Sequence, residues 1–217
     1  MLRPAMTTTD SSPRPIWADL TLEAFGYSKV ALILTGSAVT QVMPFWIEWA
    51  VSAAPETEFK VVMRDSAQRF ITRHSIESRL KSRVQADTWG EELVAAHIDL
   101  AEWADLILVY PATLDYSSRL AHGIADSPSL LAAMTTEAQV CIAPALPPRA
   151  LANPIVAETL RKLRTPENFL VIDPVPGPSE SSDVALAWVP PSFPSVLRRL
   201  EEERLLRAGM TAEAATV

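Results

Sequence analysis

The sequence predicts a doubly wound parallel α/β sheet, on three observations. Five short apolar runs, residues 29–34, 58–63, 106–110, 139–143 and 169–172, are too short for helices and are flanked by turn residues. Their apolar residues are consecutive rather than alternating, as in strands covered on both faces of a parallel sheet. Helical or turn-rich segments separate them, so right-handed strand-helix-strand crossovers follow. A chain of 217 residues suits one domain, read here as a tail over 1–15, a body over 16–208 and a loose end over 209–217.

Residues 1–15 are rich in Thr, Ser and Pro and have little to bury. Trp17, Leu20, Leu22 and Phe25 then suggest a short helix within 16–28, packed on the body or on a neighbouring subunit. The first strand, 29–34, runs into Thr35-Gly36-Ser37-Ala38. Glycine there lets a ligand approach the backbone, and the free N–H groups of a following helix can bind an anion. Pro44 sets a helix start near Met43. After the second strand, residues 68–72 and 75–81 carry helix signals, and Ser66 could cap the first of them. Arg64 is either a surface charge or a partner for an anionic group.

Residues 96–126 organise the rest. His97 opens an amphipathic helix, the apolar run 106–110 follows, and Pro111 ends that strand because it has no N–H. The residues after it stand at the sheet's carboxyl edge, where open α/β sheets bind ligands. Helices are predicted next at 130–135, 155–164 and 195–207. The Pro- and Ser-rich stretch 173–194 reads as a long loop with one apolar piece at 184–189. Cys141 sits inside an apolar run and reads as an inert core residue.

The formal net charge of −7 gives no basic footprint for nucleic acid. One cysteine excludes an internal disulfide framework and fits a reducing compartment, so a cytoplasmic location is expected. Neither a membrane-spanning run nor a secretory signal stands out. No cluster of ligating residues suggests a metal.

The stretch His97-Ile-Asp-Leu-Ala-Glu-Trp103, the run 106–110 and the turn Pro111-Ala112-Thr113-Leu114-Asp115 resemble the central signature of the flavin-dependent cysteine decarboxylases. In that family a His precedes the strand, and Pro-x-Ser/Thr-x-Asn follows it. The resemblance spans roughly residues 29–175 and implies a Rossmann or flavodoxin-like three-layer sandwich. It further implies an FMN cofactor touching Gly36, Ser37 and Ala38 at its phosphate, with Ser66, Phe70, Pro111, Ala112, Thr113 and Asp115 around it. His97 would be the general base or electrostatic partner near the substrate thiol and carboxylate.

Three departures bear on the substrate. Asp115 stands where the family has Asn and, ionised, can only accept hydrogen bonds. The family's Pro-x-Met-Asn-x-x-Met-Trp is matched by Pro144-Ala145-Leu146-Pro147-Pro148-Arg149-Ala150-Leu151, so Pro147 replaces the Asn. Leu146 and Arg149 are the substrate-binding candidates left there, Arg149 as a carboxylate partner. The Cys- and Gly-rich clamp of the pantothenate-pathway enzyme is missing.

The resemblance is therefore strongest to the peptidyl-cysteine decarboxylases of lanthipeptide and linaridin-type biosynthesis. Such an enzyme oxidises the Cβ–S unit of a peptide's C-terminal cysteine to a thioaldehyde, and loss of carbon dioxide leaves an enethiolate. A homotrimer or homododecamer is implied as well. A non-catalytic FMN-binding or assembly relative, a flavin prenyltransferase-like enzyme and a phosphopantothenoylcysteine decarboxylase-like enzyme remain the alternatives.

Overall fold

The computed structural model describes residues 20–22, 24–90, 95–177 and 186–214, with side chains in the last helix up to 209. Six strands form one parallel sheet in the order β3-β2-β1-β4-β5-β6. They are β1 (Lys29–Leu34), β2 (Glu58–Met63), β3 (Gln85–Ala86), β4 (Leu106–Thr113), β5 (Gln139–Ala145) and β6 (Phe169–Val171). Helices α1 (Met43–Ala53), α2 (Arg73–Leu80) and α7 (Phe193–Ala214) cover one face. Helices α3 (Ala96–Trp103), α4 (Leu114–Ala121), α5 (Pro128–Thr135) and α6 (Pro154–Leu163) cover the other.

This three-layer arrangement explains the unbroken apolar runs. Val30, Leu32 and Leu34 of β1 face α1 and α7, whereas Ala31 and Ile33 face the opposite helices. In β4, Leu106, Leu108 and Tyr110 alternate in the same way with Ile107 and Val109. Every one of these side chains is buried, and each Val, Leu or Ile among them contributes about 1.5–3 kcal/mol when fully removed from water. Asp105 joins the starts of β1 and β4, accepting hydrogen bonds from Ser28 N (2.7 Å) and Lys29 N (3.0 Å).

The structure departs from the sequence-based expectations at several places. β4 does not end at Pro111 but continues to Thr113, with a register shift against β5 between Val109 and Ala112. The pairing survives because the irregularity absorbs the missing N–H, and Thr35 bonds the Pro111 carbonyl and the Thr113 N–H on either side of it (below). Residues 65–69 form a 3₁₀ turn rather than a helix over 68–72. The true cap of α2 is Thr72, whose Oγ1 accepts from Ser75 N at 3.2 Å, so Ser66 caps nothing there. No helix occurs among the described residues of 20–28, and Trp17 lies outside them. β3 is only two residues long and had no apolar run to announce it.

The expected loop over 173–194 contains a hairpin, β7 (Val175–Gly177) with β8 (Ala187–Val189), and residues 178–185 lie outside the described ones. The last helix runs past 207 and 209 to Ala214. Among the described residues no helix is long and apolar enough to cross a membrane.

Candidate active site

A cavity of about 740 Å³ opens at the carboxyl edge of the sheet, where β1, β4 and β5 end. One wall comes from the turn after β1 (Gly36, Ser37, Ala38, Val39), from Phe70, and from the start of α4 (Thr113, Leu114, Asp115). The other is apolar: Leu146, Pro147 and Pro148 after β5, and Ala187, Trp188 and Val189 of the hairpin. The hairpin is held by two backbone bonds, Leu146 N to Trp188 O at 2.7 Å and Trp188 N to Leu146 O at 3.0 Å.

The first wall is built by buried hydroxyls. Thr35, with no exposed surface, donates from Oγ1 to the Pro111 carbonyl at 2.6 Å and accepts from Thr113 N at 3.0 Å. Thr40 Oγ1 donates back to the Thr35 carbonyl at 2.6 Å. Both polar groups at the end of β4 are therefore satisfied by one side chain. Ser37 caps the following 3₁₀ turn, accepting from Val39 N at 3.4 Å. Thr113 caps α4, accepting from Tyr116 N at 3.4 Å. At Gly36 a Cβ would lie 2.6 Å from Ser66 Cβ and 2.8 Å from the Ser66 carbonyl. The glycine thus lets the turns after β1 and β2 close against each other.

Asp115 is the only charged residue in the cavity lining among the described residues. Its carboxylate accepts from Arg119 Nε at 2.9 Å, and Arg119 also pairs with Asp126. Burial pushes the Cys141 thiol far above its ordinary range, which removes it as a nucleophile.

Of the residues singled out in the sequence, Gly36, Ser37, Ala38, Phe70, Thr113, Asp115 and Leu146 are brought together at this cavity. Ser66 stands behind Gly36. Pro111 and Ala112 lie buried in β4, beneath the wall rather than in it. Arg149 is exposed, at φ 64°, in the turn after β5, and it does not line the cavity.

His97 also lies outside the lining. It is half-buried in the first turn of α3, at the carboxyl-edge end of that helix, with its ring edge-on to Trp89 (centroids 5.5 Å apart, 73°). Its Nδ1 is buried and has no hydrogen-bond partner among the described residues. Trp188 was not singled out in the sequence, and Thr35 was read only as the first residue of the small-residue turn, not as the tie between β1 and β4. An isolated Trp between a Ser-rich stretch and Pro190-Pro191, and a Thr closing a buried strand, were the available signals.

The flavoprotein family pattern matches residues 22–191. The chain belongs to the flavoprotein family. Within that family, the flavoprotein is 30% identical over 151 residues to cypemycin cysteine dehydrogenase (decarboxylating) of Streptomyces sp., covering 69% of this chain and 78% of the relative. It is 36% identical over 120 residues to the coenzyme A biosynthesis bifunctional protein CoaBC of Bacillus subtilis, covering 54% of this chain but 29% of that protein. Among solved structures it resembles the FMN-dependent cysteine decarboxylase TvaF from thioviridamide biosynthesis. That match has 31% identity and a TM-score of 0.58, over 68% of this chain and 90% of the other.

Proposed function

We propose that this flavoprotein is an FMN-dependent decarboxylase acting on the C-terminal cysteine of a precursor peptide. The carrying observation is the cavity at the carboxyl edge, walled on one side by Gly36-Ser37-Ala38 and Thr113-Leu114-Asp115. The kinship to cypemycin cysteine dehydrogenase (decarboxylating) supports the same reading. A flavin nucleotide suits this space. Its volume falls within the ordinary range for cofactor sites, roughly 300–1,000 Å³. The Gly36 turn offers backbone to a phosphate, and Phe70 and Leu146 offer apolar surface to a ring system, with Trp188 left to face the peptide.

When bound, FMN supplies the two-electron acceptor for the substrate's Cβ–S unit. Ser37 and Ala38 hold the phosphate end, and Thr113 and Asp115 orient the polar edge of the cofactor. Ser66 and Ala112 support this set from behind, and Pro111 does so through its bond to Thr35. Leu146 and the hairpin exclude water from the reacting end. His97 takes the proton released as the thiol is oxidised and stabilises the carboxylate until carbon dioxide leaves. Arg149, at the rim, pairs with the peptide's terminal carboxylate as it enters.

The working form is a homo-oligomer, a homotrimer or a homododecamer. The position of His97 outside its own chain's cavity supports this, as do exposed Trp89 and Ile98 beside it. A second reading, decarboxylation of a small cysteine conjugate, has support in the likeness to CoaBC.

One experiment separates them. The purified protein is incubated with Cys-ended peptides and, separately, with a pantothenoyl-cysteine conjugate, and masses are followed. Loss of carbon dioxide plus two hydrogens from the peptide supports the first reading. Loss of carbon dioxide alone from the conjugate, with peptides untouched, supports the second. A protein that purifies without flavin absorbance and changes neither substrate defeats both.

A further inference from the structure

We propose that the buried Arg64–Asp87 ion pair is a positioning device for the imidazole of His97. The inference rests on the functional reading above, in which that imidazole does chemistry. Asp87 directly follows β3, whose two residues and the one further backbone bond from Asp87 N to the Met63 carbonyl (3.1 Å) make a ladder too short to fix the segment beyond it. Its side chain is instead completely buried and tied on several sides. Oδ2 accepts from Arg64 Nη1 at 2.9 Å and from Ser129 Oγ at 2.8 Å, while Oδ1 accepts from Ser129 N at 2.9 Å. Arg64 Nη1 also donates to Ser127 Oγ at 2.9 Å, and the Tyr116 hydroxyl meets Ser129 Oγ at 3.1 Å. Asp87 thus locks the end of β3 to the end of β2, to the start of α5 and to α4. It places a negative charge at the N-terminus of α5, where the helix dipole favours one.

Two residues further on, Trp89 lies edge-on to His97. The imidazole has no hydrogen bond at Nδ1 among the described residues, so packing sets its orientation. The ring that does this packing is half-exposed and hangs from the segment anchored at Asp87. A buried ion pair is a poor way to gain stability, because apolar residues of similar volume usually serve as well or better. Its use here is directional: the bond from Arg64 Nη1 and the two donors of Ser129 allow Asp87 one placement, and Trp89 inherits it.

The test uses the flavin-loaded protein with the single variant Asp87→Asn, the double variant Arg64→Met/Asp87→Leu, and His97→Asn as reference. Four quantities are read: melting temperature, flavin absorbance, the ¹⁵N-imidazole resonances of His97 assigned by its loss in His97→Asn, and kcat and KM on a Cys-ended peptide. Asp87→Asn should keep its flavin and shift the His97 resonances. It should lower kcat by ~10-fold or more, the scale of a misplaced reacting group, with KM little changed. The double variant removes the buried charges, so it should regain the melting temperature while kcat stays low and the His97 resonances stay displaced.

A double variant with wild-type kcat and wild-type His97 resonances overturns the proposal and leaves the pair a structural one. If Asp87→Asn does not fold, the double variant decides alone. A His97→Asn variant with full activity would remove the functional reading instead. Displaced His97 resonances in the Asp87 variants would still show the mechanical coupling.

Discussion

At the middle of the carboxyl edge Thr35 joins β1 to β4 through neutral hydrogen bonds, whereas at its outer end Arg64 and Asp87 join β2 and β3 to α5 through charges. The difference follows from the ladders. β1 pairs along its whole length with β2 and also with β4, so its end needs only a local tie for two backbone groups. β3 pairs through Val62–Gln85 and Met63–Ala86, with one more backbone bond from Asp87 N to the Met63 carbonyl at 3.1 Å, and beyond that the chain is tied by the Asp87 side chain and its several partners. The middle of the edge carries the cavity, and the outer end carries the His97 segment. Cofactor retention and catalytic rate should therefore fail separately.

The strongest expected break in that comparison is Thr35→Val. It keeps the shape of the side chain but leaves Thr113 N–H and the Pro111 carbonyl short of a partner in the interior. Each orphaned group costs about 1–3 kcal/mol. Denaturant melts should show the loss, and flavin absorbance should fall with it, unlike in the Asp87 variants. Unchanged flavin content in Thr35→Val would mean that this tie does not shape the cofactor wall.

Trp188→Ala sharpens the contrast between the cavity's two walls. The backbone bonds between Trp188 and Leu146 survive the change, so folding should suffer by only about 1–2 kcal/mol of lost apolar burial. The peptide KM should rise while flavin binding holds, as measured by steady-state kinetics beside absorbance. A drop in flavin content with unchanged KM would assign the indole to the cofactor rather than to the peptide.

The smallest effect belongs to a third tie, away from the edge. The hydrogen bond from Arg204 depresses the Glu201 carboxyl below the usual range, helped by the bond from Gly26 N at 2.8 Å. A depressed carboxyl contributes stability above its unfolded value that is lost as pH falls through the folded one. Melting temperatures compared at neutral pH and below about pH 4 should therefore converge in Glu201→Gln relative to the parent. The pair is partly solvent-screened, so the effect should stay under ~1 kcal/mol.

Much of this architecture was readable beforehand. β1 and β2 begin and end where their mainly apolar runs do, because strands covered on both faces are apolar at nearly every position, Lys29, Glu58 and Lys60 lying where cover is incomplete. The Gly36 turn and the Thr113 turn were legible too, since a small-residue turn and a Pro-led turn at strand ends mark the ligand edge. Pro111 misled because a missing N–H is only a local argument, and a β-bulge with a distant threonine overrode it. Arg64 left two readings open, a surface charge or an anion partner. Its partner Asp87 lies 23 residues away, across a strand too short to announce itself.

The order of hydrophobic and turn residues was enough to dictate the sheet, its two covered faces and the edge where a ligand sits, because those depend on periodicity along the chain. Which residues meet at that edge was settled by folding: Trp188 against Leu146, Thr35 against Pro111, Asp87 against Ser129. Those contacts join residues dozens of positions apart, and sequence spacing carries no record of them.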